Sequence, residues 1–204
     1  MGEQIHPWGS YIWKFEYDFD IINLKSQIDN IFSHWAVLEQ SSLLESGNAL
    51  STAPVGVYDT ILQPHNWKEL QSYNDWLHEK IAFVWDKFEY KSQYSEIAKS
   101  WINIHKFGGS TLEHFHNKTD LVISAYLSCP AGSGNIEFRD PLEYHKLGTS
   151  IDIDNTNWRE VPTKTNDILF FPGWLSHRTQ KNNTNKDRIV LTYNISAVNG
   201  NPKL

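Results

Sequence analysis

The carboxyl half of the chain alternates apolar and polar residues in short segments, and this pattern limits the fold more than any other feature. The segments that alternate are WINIHKF, LVISAYLS, NIEFRD, DILFFP and RIVLTYNIS. They are separated by GGS, PAGSGN and asparagine-rich stretches, which favour turns. Successive side chains of a strand point to opposite faces, so a period of two indicates strands. Many short strands joined by such turns predict an antiparallel sandwich or barrel.

The first hundred residues predict helices that support this β-rich part. Residues 11–19 alternate loosely enough for a strand, and residues 21–35 place apolar side chains on one helical stripe. From Asn66, with Glu69 three residues later, a capping box predicts a second helix. Its apolar residues recur at three- and four-residue steps and are Trp67, Leu70, Tyr73, Leu77, Ile81, Val84 and Phe88. We expect the helices to cover the outer face of the sheet.

No linker or internal repeat divides the 204 residues, so the sequence predicts a single domain. Residues 1–100 are expected to form a mixed helix and strand support region, and residues 101–198 the β core. The predicted fold class is therefore mainly β with flanking helices, within the α+β class.

Charge and cysteine content restrict the partners and the compartment. The formal net charge is -6, whereas binding of nucleic-acid phosphates needs clustered Lys and Arg, so we expect no nucleic-acid partner. Cys129 is the only cysteine, which excludes an intramolecular disulfide and fits a reducing compartment. The sequence shows neither the pattern of a secretory signal nor a run of about 18 apolar residues, so we expect a cytoplasmic protein without a membrane partner.

Three histidines form the strongest candidate for a metal site. His114 and His116 are separated by one residue, and His177 follows in FFPGWLSH, directly after a predicted strand. Residues two apart on a strand share a face, so the pair would point the same way. His177 would reach the pair where the sheet rolls over. Asp120 is the rival for the second ligand because it has the same parity, although residues 117–119 predict a bend that would break the register.

The segment RIVLTYNIS separates polar from apolar residues. Its first face carries Arg188, Val190, Thr192 and Asn194, and its second face carries Ile189, Leu191, Tyr193 and Ile195. An arginine directed into a barrel is costly unless it meets an anion. A guanidinium pairs with a carboxylate through two parallel hydrogen bonds. Arg188 therefore predicts an anionic ligand near the metal, with Thr192 beside it.

Taken in order, these motifs resemble the iron(II)- and 2-oxoglutarate-dependent oxygenases, and most closely a group of them from phages and bacteria. The resemblance covers residues 101–196, about half of the chain. The motifs that carry it are W-x-N at Trp101, H-x-H at His114, a strand end at Tyr126, I-x-F-x-D-P at Ile136, FPGWLSH at Phe171 and RIVLTYN at Arg188. If a phage encodes the chain, the expected location is the cytoplasm of the host cell.

The resemblance implies a double-stranded β-helix, or jelly roll, that binds iron(II) at one mouth. It implies a dioxygenase that uses O2 to hydroxylate an unidentified small molecule, peptide or prolyl residue while 2-oxoglutarate is decarboxylated to succinate. Its metal ligands would be His114, His116 and His177, where the wider superfamily has two histidines and one carboxylate. Its residues for 2-oxoglutarate would be Arg188, Thr192, Tyr126 and Asn103. Tyr126 could equally be a core tyrosine, and Asn103 could instead satisfy a buried backbone group.

Two other functions fit the same residues. A cupin-like jelly roll would bind a metal or another ligand without catalysis, and it would have no need of an inward Arg188. A three-histidine oxygenase without a co-substrate would instead use Arg188 for the carboxylate of its own substrate. Among the neighbouring residues, His105 is expected to support the site or the fold. Trp174 is expected to pack under the metal loop or, if exposed, to border a substrate cleft.

Overall fold

The structure is a computed structural model that describes residues 3–5, 11–34, 44–45, 48–53, 62–90, 92, 94–143 and 157–198. Its strands are β1 (Glu3–Ile5), β2 (Ile12–Glu16), β3 (Leu44–Glu45), β4 (Ala49–Ser51), β5 (Ser95–His105), β6 (Ser110–Thr111), β7 (Leu121–Ser128), β8 (Ile136–Arg139), β9 (Trp158–Val161), β10 (Asp167–Pro172), β11 (His177–Thr179) and β12 (Arg188–Ala197). Its α-helices are α1 (Ile21–His34) and α2 (Gln71–Lys87). All five alternating segments of the carboxyl half form strands, as predicted.

The strands form two facing sheets and a short third one. The large sheet has seven strands in the order β1-β2-β10-β7-β12-β5-β4, and the smaller one has the order β11-β8-β9. Strands β3 and β6 pair separately. The pairs within these sheets are antiparallel, as the sequence predicts. Because β12 lies between β5 and β7, it is an inner strand of the large sheet, next to the central strand β7.

The outer face of the large sheet packs against the helices. The apolar face of β12 belongs to one buried cluster with the apolar stripe of α2, which includes Leu77 and Ile81. The Tyr193 hydroxyl adds a hydrogen bond of 3.0 Å to Asn74 Oδ1. Each large apolar side chain buried in this way contributes roughly 1.5–3 kcal/mol. The prediction that helices cover the outer face is therefore confirmed.

A second buried cluster fills the space between the two sheets. It joins residues of the large sheet, such as Val122 and Leu169, to Phe138 and Val161 of the smaller sheet. Val190, from the polar face of β12, also belongs to it. The face of β12 that carries Arg188 therefore looks into the interior of the sandwich, as predicted.

The start of α2 differs from the prediction. Two short 3-10 turns, Pro64–Asn66 and Lys68–Leu70, precede the helix, and Leu70 caps it without a side-chain hydrogen bond. Trp67 between them is extended, with φ -78° and ψ 135°. The predicted capping box at Asn66 was wrong because burial of Trp67 and Leu70 in the core fixes the backbone there.

Among the described residues, neither α-helix combines the length and the apolar character that crossing a membrane requires.

Candidate metal centre

His114 and His116 lie in the loop between β6 and β7, so the prediction that they share a strand was wrong. His114 makes a single β-bridge to His177, in which each N–H donates to the other carbonyl, at 3.0 and 2.9 Å. The His116 N–H donates to the Gly173 carbonyl at 2.8 Å. Contacts with a distant segment, rather than strand parity, therefore bring the three histidines together.

The three imidazoles converge on one point. One nitrogen of each ring lies within 4.8 Å of the corresponding nitrogens of the other two. The ring centroids of His114 and His177 are 4.3 Å apart, and that of His116 lies 5.1 and 5.2 Å from theirs. These separations leave room for one ion among the rings.

One nitrogen of each imidazole donates a hydrogen bond to an oxygen. Nδ1 of His114 lies 2.8 Å from the Leu112 carbonyl, and Nδ1 of His177 lies 2.8 Å from the Leu175 carbonyl. Nδ1 of His116 lies 2.6 Å from the side-chain oxygen of Asn194. Since these oxygens are acceptors, Nδ1 carries the proton and Nε2 keeps its lone pair. The three rings are therefore held in the tautomer that a metal needs.

Burial keeps the three rings neutral. Desolvation lowers the pKa of His114, although its hydrogen bond to the Leu112 carbonyl opposes the change. Burial, and then the neighbouring His114, lower the pKa of His116 to about 4. Burial also lowers the pKa of His177 well below its ordinary value. Near neutral pH all three imidazoles are therefore unprotonated, which is the form that binds a metal.

Asp120, the rival ligand, is engaged elsewhere. Its Oδ2 accepts a hydrogen bond of 2.7 Å from the Ala197 N–H. Its carbonyl accepts from the Tyr90 hydroxyl at 2.6 Å and from the Gly173 N–H at 3.0 Å. Among the described residues, the convergent group consists of the three histidines without Asp120. The geometry therefore favours His116.

Gly173 locks the histidine loop against the segment that leads to His177. Its N–H and its carbonyl each bond to that loop, at Asp120 and His116. A Cβ at Gly173 would lie 2.0 Å from the Thr119 carbonyl oxygen, so no other residue fits without displacing the loop. The sequence indicates a turn at Pro172 and Gly173, whereas this close approach becomes visible only in the structure.

A cavity of about 250 Å³ opens beside the three histidines. Three of the four residues predicted for 2-oxoglutarate line it, namely Asn103, Tyr126 and Thr192. Thr192 and Tyr126 are buried. No Asp or Glu is among the lining residues in the described part of the chain. An anion would therefore meet no carboxylate repulsion from these walls.

Arg188 points inward, but it is not among the residues that line the cavity. It is only 1% exposed, and its five N–H groups donate to protein acceptors, none of which is a carboxylate. These acceptors are His105 Nδ1, the carbonyls of Ser133, Gly134 and Gln180, and the Thr179 hydroxyl. The direct pairing with an anion that the sequence suggests is thus replaced by neutral partners. Its positive charge stays uncompensated by these groups.

Two hydroxyl groups connect Arg188 to the cavity. Because Arg188 Nε donates to His105 Nδ1, the His105 proton lies on Nε2, which donates to the Thr111 hydroxyl at 2.7 Å. The Thr179 hydroxyl accepts from Arg188 at 2.9 Å and from the Thr111 N–H at 2.8 Å. Both hydroxyls line the cavity, and each keeps its own hydrogen to donate. No motif in the sequence points to these two threonines.

The mouth of the site carries two exposed aromatic rings. Trp174 is 56% exposed and Phe115 is 60% exposed. The expectation that Trp174 packs under the metal loop is therefore wrong. Its indole borders a second groove that also contains Phe115 and His116. Exposed rings at this place fit its other expected role, as the border of a cleft.

Comparison with known proteins places this fold and these motifs in one family. Residues 99–194 match a family described as "Putative 2OG-Fe(II) oxygenase". No curated protein matches the chain.

Solved structures share the fold at low identity. A Pseudomonas putida prolyl-4-hydroxylase matches with a TM-score of 0.56 and 9% identity, over 93% of this chain and 94% of that one. HygX from Streptomyces hygroscopicus was solved with nickel, 2-oxoglutarate and hygromycin B. It matches with a TM-score of 0.54 and 10% identity, over 92% of this chain and 83% of that one. A 2OG-Fe(II) oxygenase family oxidoreductase from Burkholderia pseudomallei matches with a TM-score of 0.50 and 13% identity, over 66% of this chain and 61% of that chain.

The predicted double-stranded β-helix is therefore confirmed. The matched stretch contains the loop of His114 and His116, the segment of His177 and most of β12. Residues 99–194 are similar to the 2OG-Fe(II) oxygenase family, whose enzymes use iron(II), 2-oxoglutarate and O2.

Proposed function

We propose that the chain is a dioxygenase that binds iron(II) through His114, His116 and His177 and hydroxylates a small-molecule or peptide substrate. One observation carries the proposal. The three imidazoles converge within 4.8 Å while each Nδ1 donates to an oxygen, which leaves three Nε2 lone pairs for one ion. Three protein ligands on one side leave the other side of the ion free, as such catalysis requires.

The cavity beside the histidines suits 2-oxoglutarate. Bound iron would supply the open positions at which 2-oxoglutarate and O2 react, with succinate as a product. Asn103, Tyr126 and Thr192 would contact the co-substrate, because they line the cavity between the two sheets. Its far carboxylate would accept from the hydroxyls of Thr111 and Thr179, which have Arg188 behind them. A buried guanidinium with neutral acceptors favours an anion nearby.

We also infer that the chain works as one domain, with residues 1–100 supporting the core of residues 101–198. The buried cluster on the outer face of the sheet supports this arrangement. It joins Phe15 and Leu24 of the first third to α2 and to the strands of the core. Loss of these contacts would expose the back of the strands that carry the site.

A non-catalytic, cupin-like binding module is the second candidate, and the saturated hydrogen bonds of Arg188 favour it. A guanidinium that only supports the fold would need these neutral acceptors and nothing more. The two functions differ in one measurable property. The oxygenase binds 2-oxoglutarate in a way that depends on Arg188 and Thr179, whereas the module does not.

Calorimetric titration of iron(II) and 2-oxoglutarate into Arg188→Ala, Arg188→Lys and Thr179→Val tests this dependence. We expect iron(II) binding to survive in all three variants. Arg188→Ala removes the positive charge behind the Thr111 and Thr179 hydroxyls, so its affinity for 2-oxoglutarate should fall by about tenfold or more, which corresponds to about 1.4 kcal/mol. Lys offers a point charge instead of a planar fork and should restore only part of the affinity.

Thr179→Val is the control for the possibility that Arg188→Ala loses affinity only because it misfolds. It removes one hydroxyl and keeps the shape and most of the hydrogen bonds of Arg188, so the fold should persist. We expect about a tenfold loss of affinity for 2-oxoglutarate, as for a hydrogen bond to a charged group. Unchanged affinity for 2-oxoglutarate in both Arg188→Lys and Thr179→Val would move the assignment to the binding module.

A further inference from the structure

Lys99 lines the cavity, unlike Arg188, and has no assigned role. It lies on β5, on the face that also carries Trp101 and Asn103, and it lines the cavity with them. Its Nζ donates to the Ala53 carbonyl at 2.7 Å, which leaves two of its three N–H groups. Within the described part of the chain, no carboxylate forms an ion pair with it.

The environment of Lys99 is unusual for a lysine. The side chain is partly buried and its ammonium lies over the Trp101 ring, 5.8 Å from the centroid. A lysine ammonium is normally solvated by water, and one that is withdrawn from water is normally paired with an anion. Burial accordingly lowers the pKa of Lys99. A partly desolvated ammonium without a counter-ion is stabilised by any anion that enters the cavity.

Lys99 lies at the metal end of the cavity. On the same face of β5, the Trp101 ring stacks on His116, with centroids 5.6 Å apart and planes at 24°. Lys99 is also the register partner of Asn194, the residue that holds His116. The same register pairs Arg188 with His105. Lys99 and His105 are six positions apart on β5, or about 20 Å of extended strand.

The two cations therefore lie toward different ends of strands β5 and β12. A co-substrate that chelates the metal and extends toward Arg188 fills only the part of the cavity between them. Lys99 lies toward the other end, where Asn194 is its register partner. Asn117 and Asn194 also line the cavity. Phe115, exposed at the rim, adds an apolar surface.

Charge balance gives the chemistry of the remaining ligand. Three neutral imidazoles cancel none of the charge of iron(II), and the lining residues contribute no carboxylate. The dianionic co-substrate offsets two positive charges. Because one carboxylate of the co-substrate lies at the metal and the other toward Arg188, Lys99 is then left in the cavity without a counter-ion.

We propose that Lys99 binds an anionic group of the substrate, a carboxylate or a phosphate, and so selects acidic substrates. The proposal rests on the proposed function, since it takes the Arg188 end of the cavity as the co-substrate site. Acetate and methyl phosphate carry the two candidate groups and serve as probes.

The test titrates each probe into protein loaded with zinc(II) and saturating 2-oxoglutarate, and follows the indole and amide NMR signals of Trp101. We expect saturable shifts in the unmodified protein, at least tenfold weaker binding in Lys99→Met, and retained binding in Lys99→Arg. Lys25→Met is the matched control, because Lys25 pairs with Asp29 on the exposed face of α1. The tighter probe identifies the carboxylate or the phosphate as the substrate group.

Equal probe affinity in Lys99→Met, or the lack of a saturable shift in the unmodified protein, would overturn the proposal. Calorimetry of Lys99→Met with zinc(II) and 2-oxoglutarate separates it from the proposed function. We expect both affinities to be unchanged. A large loss of 2-oxoglutarate affinity would assign Lys99 to the co-substrate and refute the substrate role. Failure of the unmodified protein to bind metal or 2-oxoglutarate would instead count against the proposed function.

Discussion

At the scale of single residues, the tautomer of each histidine decides whether the site can hold a metal. Two of the three Nδ1 acceptors are backbone carbonyls, which no substitution removes. The third is the side chain of Asn194, 2.6 Å from His116. Asn194 is therefore the one acceptor whose contribution can be tested by mutation.

We expect Asn194→Ala to weaken iron(II) binding by about 10- to 100-fold, as other losses of a hydrogen bond to a metal-bound histidine do. Without the acceptor, His116 can rotate or place its proton on Nε2. Asn194→Asp, which keeps an oxygen at the same place, should bind iron(II) at least as tightly as the original protein. Calorimetric titration with iron(II) measures both. Equal affinity in Asn194→Ala would show that Asn194 does not orient His116.

Residue types and their order predicted which side chains meet, but not always how. The face of β12 was predictable because its apolar residues alternate without interruption. The partners of Arg188 were not, since they are carbonyls of Ser133, Gly134 and Gln180, and a carbonyl has no sequence signature. Strand parity and the predicted bend at residues 117–119 favour His116 over Asp120 in the sequence, but parity does not apply in a loop. The structure favours the same residue for a different reason.

At the scale of elements, the site depends on the contact between two loops. The loop of His114 and His116 and the turn before His177 touch at Gly173, where a Cβ would lie 2.0 Å from a backbone oxygen. A contact between segments more than fifty residues apart cannot be predicted from local pattern. Tertiary burial likewise replaced the predicted capping box with 3-10 turns.

We expect Gly173→Ala to destabilise the protein by about 1–3 kcal/mol, the usual cost of overpacking a closed contact. It should also weaken iron(II) binding, because the loop that carries His116 must move. The neighbouring Trp174→Ala is the control, since this exposed side chain should change stability by no more than about 0.5 kcal/mol. Urea unfolding and iron(II) titration measure the two effects. Unaltered stability and iron(II) affinity in Gly173→Ala would refute the contact.

At the scale of the whole molecule, buried neutral histidines make the fold sensitive to acid. The pKa of His116 is about 4 in the folded chain and about 6.5 when unfolded. Between these values the unfolded chain binds more protons, so the free energy of unfolding falls as the pH falls. His105 and His177, whose pKa values are also strongly lowered by burial, act in the same direction.

We therefore expect the metal-free protein to lose stability steadily from about pH 6.5 to pH 4. The share of His116 is on the order of 3 kcal/mol. His116→Gln, which cannot titrate, should show a correspondingly weaker pH dependence of its urea midpoint. If both proteins gave the same dependence, His116 would not be buried and neutral in the folded state.

The central claim is that three histidines bind iron(II) together with 2-oxoglutarate, and an anaerobic titration tests it most directly. Iron(II) and then 2-oxoglutarate are added to the protein while the visible absorption is recorded. We predict one iron per chain and a weak charge-transfer band that appears with 2-oxoglutarate, persists in Asp120→Asn and is absent in His116→Ala. A band that survives in His116→Ala and disappears in Asp120→Asn, or no band in the iron-loaded protein, would contradict the account.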